Sequence, residues 1–420
     1  MQFLLKSVNV LDPRSTFYKK VVDIEFSNGK ITQIDSHIEP KVDFKVIEGK
    51  ELCIATGFID LNAQSGEPHF SVAENMASLE KSAAKGGFTH VCHFPHENHF
   101  VENESDIYFL KSKNQGLVKV LPVGSITQKK NQKNMAELYD MYVSGAVAFT
   151  NGNEMGMDSD TLINALNYSK SFGGKMLIHA EKNRLTKNGQ VHQGLYSLMT
   201  GFKGIPKEAE LIAIKEVVAL AQYTQTYPTI INISTAESID YIKEIKKEYP
   251  LKCGVSSIHL ALNDEKILDF DTNYKVNPPL RSESDRVALC NAVLDGTIDF
   301  VYSQHTPWTI EEKHLEFDLA AFGIINLQTS FLLALNQLGK NAIDKIISVF
   351  STNPAEYLGL DMGSITEGNS GSFTLIDLGE KTVFSLNENA SKSKNSPFWN
   401  QEFEGKIKGI IQEEKACFFI

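Results

Sequence analysis

The stretch GFIDLNAQSGEPHF, residues 57–70, carries three polar side chains at alternate positions, Asp60, Asn62 and Gln64. They follow apolar residues typical of a buried strand, and side chains two residues apart on a strand share a face. One carboxylate and two amides should therefore meet at the tip of this strand. A zinc ion there would need imidazole, thiolate or carboxylate donors. Positions 62 and 64 offer amides instead.

The bulk composition limits the classes of partner. The chain has 420 residues, 42% of them hydrophobic, so it can bury a large core. The formal charge of −11 is spread without a basic patch, which argues against nucleic acid and against an anionic membrane surface. Small molecules and other proteins remain as partners.

The cysteines and the N-terminal segment indicate a cytoplasmic protein. Five cysteines, an odd number without a Cys-x-x-Cys pair, predict neither a disulfide framework nor a zinc knuckle. The first apolar run is short and is interrupted by Lys6 and Asn9, and no apolar stretch of about 18 residues follows.

The periodicity of the apolar residues predicts an α/β fold with a TIM-like barrel. Residues 1–51 hold short alternating runs typical of antiparallel strands, and from Leu52 apolar runs alternate with segments of helical period. Eight such units predict a (β/α)8 barrel over residues 52–360. The eight predicted strands are LCIATGFID, THVCHF, LVKVLPVG, GAVAFT, KMLIHA, TIINIS, LKCGVS and IDFVYS. Residues 361–420 return to strand patterning and should join 1–51 in one small flanking β-domain. The segment SLNENASKSKNSPF is interpreted as a polar loop.

The carboxyl ends of barrel strands line the functional pocket. The side chains expected there are mostly amides and histidines: Asp60, Asn62, Gln64, His93, His96, Asn151, His179, Asn232, His259, Gln304 and His305.

Motifs along nearly the whole chain resemble the dihydroorotase branch of the metal-dependent amidohydrolases. They are GFIDLNAQSGEPHF, KGGFTHVCHFP, GAVAFTNG, LIHAE, GIPKEAE, NISTAES, KVNPPLRSESDR, DGTIDFVYSQHTPWTIEEK, FGIINLQTS, STNPAEYLGL and NSPFWNQEFEGKIKG. The resemblance implies the amidohydrolase barrel with its small β-domain. It also implies zinc-dependent hydrolysis or closure of a six-membered cyclic ureide in pyrimidine biosynthesis.

Residue by residue, the implied zinc chemistry is missing. The family's His-x-His pair falls on Asn62 and Gln64, and the arginine that grips the substrate carboxylate falls on Gly66. The resemblance places the remaining metal positions at Asn151, His179, Asn232 and Gln304, of which only His179 keeps its ligand, and Gln304 stands where the family has its catalytic aspartate. The resemblance also implies an asparagine that contacts the substrate, and His96 stands at its position.

These replacements predict a site without metal and without a catalytic residue. Amide oxygens are weak donors for zinc. Without the metal no bound water is activated, and without an acid at position 304 nothing there takes its proton. Asn and Gln keep size and hydrogen-bonding capacity while removing charge, which suits a refilled metal-free pocket. We expect no cofactor.

Two features keep alternatives open. His90, His93, His96 and His99 recur every three residues and could form a new metal site, with His93 and His96 its foremost members. Asn277, in the KVNPPLR loop that faces substrate in the family, either shapes the fold or still contacts a small molecule.

Three functions are therefore considered. The first is a catalytically inactive dihydroorotase homologue that acts as a scaffold or partner, for example of aspartate transcarbamoylase, and forms a homodimer by family analogy. The second is an active cyclic amidohydrolase with a site rebuilt around histidines. The third is a metal-free binder of a ureide or pyrimidine precursor through the candidates Asn62, Gln64, His96, His179, His259, Asn277 and His305.

Overall fold

The computed structural model describes residues 2–68, 70–96, 100–128, 133–153 and 157–419. The strands are β1 (Gln2–Val10), β2 (Val21–Ser27), β3 (Lys30–Asp35), β4 (Lys45–Ile47), β5 (Leu52–Thr56), β6 (Phe58–Ala63), β7 (Phe88–His93), β8 (Lys119–Ser125), β9 (Ala148–Thr150), β10 (Leu177–His179), β11 (Val191–His192), β12 (Gly204–Ile205), β13 (Thr229–Ile231), β14 (Lys252–Ser256), β15 (Phe300–Tyr302), β16 (Ser372–Phe384), β17 (Gln401–Gln412) and β18 (Lys415–Phe418).

The α-helices are α1 (Met76–Lys85), α2 (Glu104–Lys113), α3 (Leu138–Ser144), α4 (Ser159–Lys170), α5 (Asn183–Thr186), α6 (Leu195–Thr200), α7 (Glu208–Thr224), α8 (Ala236–Ile245), α9 (Ser257–Ala261), α10 (Glu283–Asp295), α11 (Ile310–Lys313), α12 (Ser330–Leu338), α13 (Ile343–Ile347) and α14 (Asn353–Leu358). Short 3₁₀ turns cover Asp264–Asp269, Thr272–Tyr274 and Lys340–Ala342, and a π-helical turn covers Ser348–Thr352.

The predicted barrel is confirmed. Parallel pairing runs through β6, β7, β8 and β9 and through β10, β13, β14 and β15. Bridges from Phe149 to Met176 and from Ala63 to His305 join these two groups into a closed ring. The barrel strands are buried on both faces, as expected when helices cover the outside. Their carboxyl ends share one rim of the barrel.

The small β-domain is built from both ends of the chain, as predicted. Its strands lie in the order β18, β17, β16, β5, β1, β2 and β3, with β4 beside β1. The expected boundary between residues 51 and 52 shifts, because β5 pairs with β1 and β16 rather than with a barrel strand. Gly57 separates β5 from β6, and a Cβ there would lie 2.2 Å from Oγ1 of Thr89. The single strand expected from LCIATGFID is therefore two strands in two sheets.

No helix within the described ranges is long and apolar enough to cross a membrane.

Candidate functional site

An amide triangle occupies the carboxyl ends of three barrel strands. Nδ2 of Asn62 donates to Oδ1 of Asn153 at 2.6 Å and to Oδ1 of Asn232 at 3.2 Å. Nδ2 of Asn232 donates to the same oxygen of Asn153 at 3.0 Å. Each side of the triangle is thus a hydrogen bond between neutral groups, while Oδ1 of Asn62 and Nδ2 of Asn153 are buried without a partner among the described residues.

Asn153 is a site residue that the sequence analysis missed. Asn151, the position expected from the resemblance, turns its Oδ1 to the backbone N–H groups of Ile126 and Thr127, at 3.2 and 3.1 Å. The residue between the two asparagines, Gly152, has a φ of +85°, which reverses the chain and brings Asn153 to Asn62 and Asn232. The two asparagines in the TNGN turn were the available signal.

Tyr302 anchors the triangle from below. Its hydroxyl donates to Oδ1 of Asn232 at 3.1 Å and accepts the backbone N–H of the same residue at 2.6 Å. Burial raises the pKa of Tyr302, so the hydroxyl keeps its proton. Asn232 and Gln304 have left-handed backbones, with φ of +59° and +54°. Such strain in side-chain-bearing residues concentrates at functional sites, and here it aims two strand-end side chains at the barrel mouth.

In both Gln64 and Gln304 the side-chain nitrogen is hydrogen-bonded and, within the described part of the chain, the side-chain oxygen is not. Nε2 of Gln64 donates to the carbonyl of Pro95 at 3.3 Å, and Nε2 of Gln304 donates to the carbonyl of Asn277 at 2.6 Å. Both side-chain oxygens are buried and find no hydrogen-bond donor among the described residues.

Glu181 is the charged group of the site, and His179 lies beside it. Nε2 of His179 lies 3.5 Å from Oε2 of Glu181, and Nδ2 of Asn277 lies 3.4 Å from the same oxygen. Burial raises the pKa of the Glu181 carboxyl, but His179, Asn277 and the charge of Arg281 together hold it below its usual value. Glu181 is therefore an ionised carboxylate that the sequence analysis did not single out.

The other candidate histidines do not converge on one point. Nε2 of His93 contacts Oγ of Ser65 at 2.7 Å, and burial lowers its pKa to about 4. The ring of His96 lies edge-on to Trp308, with centroids 4.9 Å apart. His99 lies outside the described residues.

His259 and His305 form hydrogen bonds to the backbone of neighbouring loops. Nε2 of His259 bonds the carbonyl of Pro278 at 3.0 Å, and burial lowers its pKa to about 4. Nδ1 of His305 accepts the backbone N–H of Asn326 at 3.0 Å, and its Nε2 lies 3.4 Å from the Glu74 carboxylate.

Asp60 braces the end of the barrel. Its carboxylate accepts the backbone N–H of Ser303 at 2.7 Å and that of Asn62 at 2.9 Å. Burial raises its pKa to about 7 despite these hydrogen bonds. Both oxygens face backbone, so we assign Asp60 a structural role.

Gly66, where the resemblance implies an arginine, has no room for a side chain. A Cβ at this position would lie 1.7 Å from the carbonyl oxygen of Phe70, because the loop folds back so that the amide of Gly66 bonds the carbonyl of Glu74 at 2.9 Å. Real Cβ atoms do not approach backbone so closely, so this conformation requires glycine.

The site does not fit zinc. The resemblance places the metal ligands at Asn62, Gln64, Asn151, His179, Asn232 and Gln304. In the structure, Asn153 rather than Asn151 reaches Asn62 and Asn232. Only the imidazole is a good zinc donor, because amide oxygens are weak, neutral ligands for zinc. Across the part of the chain that the structure describes, no three His, Cys, Asp or Glu side chains come together to hold a metal ion.

A cavity of about 520 Å³ opens beside the triangle. Its wall includes Gln64, Asn153, Glu181, Asn277 and Gln304. This volume exceeds that of a six-membered ring and lies within the range of small-molecule sites.

Comparisons with known proteins agree with this fold. The Amidohydrolase family model matches residues 44–413. A dihydroorotase of Acetivibrio thermocellus is 33% identical over 411 residues, which cover 96% of each chain. A dihydroorotase of Aquifex aeolicus is 33% identical over 424 residues and covers 100% of this chain and 99% of its own. Among solved structures, an L-hydantoinase from Arthrobacter aurescens superimposes with a TM-score of 0.85 at 18% identity, covering 100% of this chain and 98% of its own.

These matches first define the class, an amidohydrolase with a TIM barrel and a flanking β-domain. Within that class, the chain belongs to the dihydroorotase family.

Proposed function

We propose that this dihydroorotase-family protein does not hydrolyse or close the cyclic ureide and uses its barrel for binding instead. The amide triangle of Asn62, Asn153 and Asn232 carries the proposal, because neutral, mutually hydrogen-bonded amides occupy the place where the resemblance implies zinc ligands. His179 has lost its partner ligands and pairs with Glu181. Gln304 cannot act as a general base, since an amide does not take up a proton near neutral pH.

A turnover assay tests the loss of catalysis. Purified protein is assayed in both directions, with dihydroorotate and with its ring-opened form, with and without added zinc. The A. thermocellus dihydroorotase serves as positive control. We expect background turnover under all conditions. Zinc-dependent turnover above that background would contradict the proposal and favour an active site rebuilt around histidines.

The resemblance suggests that the chain binds another protein. We propose that the chain acts in the cytoplasm as a homodimeric partner of aspartate transcarbamoylase. Sedimentation velocity of the chain alone and mixed with the aspartate transcarbamoylase of the same organism tests this. We expect a dimer alone and a faster-sedimenting complex in the mixture. Independent sedimentation of the two proteins would refute the partner role.

The cavity favours a second binding function, in which the ligand is a small molecule. Its wall retains polar side chains on rigid strand ends, including Gln64, Asn277 and Gln304, rather than the apolar filling expected of a purely structural barrel. Thermal-shift screening with pyrimidine precursors measures saturable stabilisation, which ligand binding produces and scaffolding alone does not.

A further inference from the structure

We propose that the cavity at the barrel mouth binds a small nitrogen compound rich in N–H donors and without an anionic group. This inference rests on the small-molecule binding proposed above and names the chemistry of the ligand.

Three glutamines in the cavity wall present acceptors. Gln64, Gln190 and Gln304 all line the cavity. Each has a buried side-chain oxygen with no hydrogen-bond donor among the described residues.

The hydrogen bond at the other end of each amide favours this orientation, most strongly in Gln304, where it is shortest. Nε2 donates to the carbonyl of Pro95 in Gln64, of Asn188 in Gln190 and of Asn277 in Gln304, at 3.3, 3.4 and 2.6 Å. Rotating an amide would place its oxygen against a carbonyl, so the oxygens stay as acceptors. Buried acceptors in native proteins are nearly always paired, and N–H groups of a ligand would supply the missing donors.

The charges near the cavity disfavour an anion. The Glu181 carboxylate lies in the wall and is 7% exposed. Gly66 brings no cation, since its conformation excludes a side chain. The buried Arg281 is engaged elsewhere, donating to Oγ of Ser234 at 3.0 Å, to the carbonyl of Ile205 at 2.8 Å and lying 3.1 Å from Nδ1 of His192.

The remaining cations of the wall lie at its rim. Arg184 and Lys187 line the cavity and are exposed to solvent, where water and salt screen their charge. The interior of the cavity therefore presents hydrogen-bond acceptors and the negative charge of Glu181. A ligand that carries a carboxylate would need donors or a cation there instead.

Three six-membered rings of similar size test this polarity by calorimetric titration: a cyclic guanidinium, neutral dihydrouracil and anionic dihydroorotate. Dihydrouracil and dihydroorotate differ only in the carboxylate. We expect the guanidinium and dihydrouracil to bind at least about tenfold more tightly than dihydroorotate, which corresponds to one or two hydrogen bonds made or lost.

Substitutions locate the binding. Gln304→Leu and Gln64→Leu should each weaken binding of the guanidinium about tenfold. Gln33→Leu, at an exposed position of β3, is the matched control and should leave affinity unchanged. Tightest binding of dihydroorotate, equal affinities in all variants, or no binding of any ring to zinc-free protein would overturn this inference. Stoichiometric zinc in the protein would instead overturn the proposed function.

Discussion

Replacing Asn62 by aspartate should destabilise the protein much more than replacing Asn153 by aspartate, although both changes put a carboxylate into the same triangle. The reason is the direction of the hydrogen bonds. Asn62 is the donor to both partners, and the Asn153 oxygen is the acceptor of both. Aspartate at 62 can donate to neither partner, whereas aspartate at 153 keeps both donors.

The size of the difference follows from these contacts. Asn62→Asp loses hydrogen bonds of 2.6 and 3.2 Å and places a charge among acceptors at a residue that is 0% exposed. The two lost hydrogen bonds cost about 2 kcal/mol, because the Asn153 oxygen still accepts from Asn232 and the Asn232 oxygen still accepts from Tyr302. The uncompensated buried charge brings the total to about 4 kcal/mol. Asn153→Asp keeps two charge-assisted hydrogen bonds that offset most of its desolvation, so we expect a loss of about 1 kcal/mol.

Urea denaturation followed by circular dichroism at pH 7 measures the free energy of unfolding of both variants. Asn28→Asp, at an exposed turn, controls for the change in net charge. Lowering the pH should restore part of the stability lost in Asn62→Asp. The reason is that a buried carboxyl binds its proton more tightly in the folded protein, so the contribution is fully present below the unfolded pKa and is lost as the pH rises to the folded pKa. Equal losses in the two triangle variants would refute the proposed hydrogen-bond directions.

Three further predictions concern Gly66, Tyr302 and Lys313. Gly66→Ala should cost about 2 kcal/mol in urea denaturation, because its Cβ would overlap the Phe70 carbonyl, and an unchanged midpoint would contradict the tight fold of this loop. Tyr302→Phe should cost about 2 kcal/mol, because the backbone N–H of Asn232 loses its acceptor, and a loss below about 0.5 kcal/mol would contradict that role. Burial lowers the pKa of Lys313 from 10.5 to about 7, so unfolding takes up a proton between these values. Stability relative to Lys313→Met should therefore rise by about 1 kcal/mol per pH unit between pH 7 and 9, and parallel pH profiles would refute this.

The local periodicity of the sequence was enough to predict the barrel. Apolar runs such as THVCHF and IDFVYS became β7 and β15, and the strand-end positions followed because parallel strands end on one rim. The division of LCIATGFID could not be predicted from its pattern. Pairing of β5 with β16, more than 300 residues away, decides it.

Contacts between distant segments also account for what was missed at the site. Asn151 and Asn153 look equivalent in the sequence, and the left-handed Gly152 selects which of them reaches Asn62. The segment SLNENASKSKNSPF was interpreted as a polar loop, yet Ser393 and Asn395 are buried in it. Ser393 donates to the carbonyls of Ala73 and Trp308, and Asn395 donates to those of Thr306 and Gly323. These polar residues therefore hold the segment against other loops instead of facing solvent.

Metal content tests the central claim most directly. The protein is purified without chelator, incubated with zinc, dialysed and measured by mass spectrometry, beside the A. thermocellus dihydroorotase treated in the same way. The amide triangle predicts a zinc content far below one ion per chain. One or more tightly held zinc ions per chain would contradict the account of a neutral, metal-free barrel mouth.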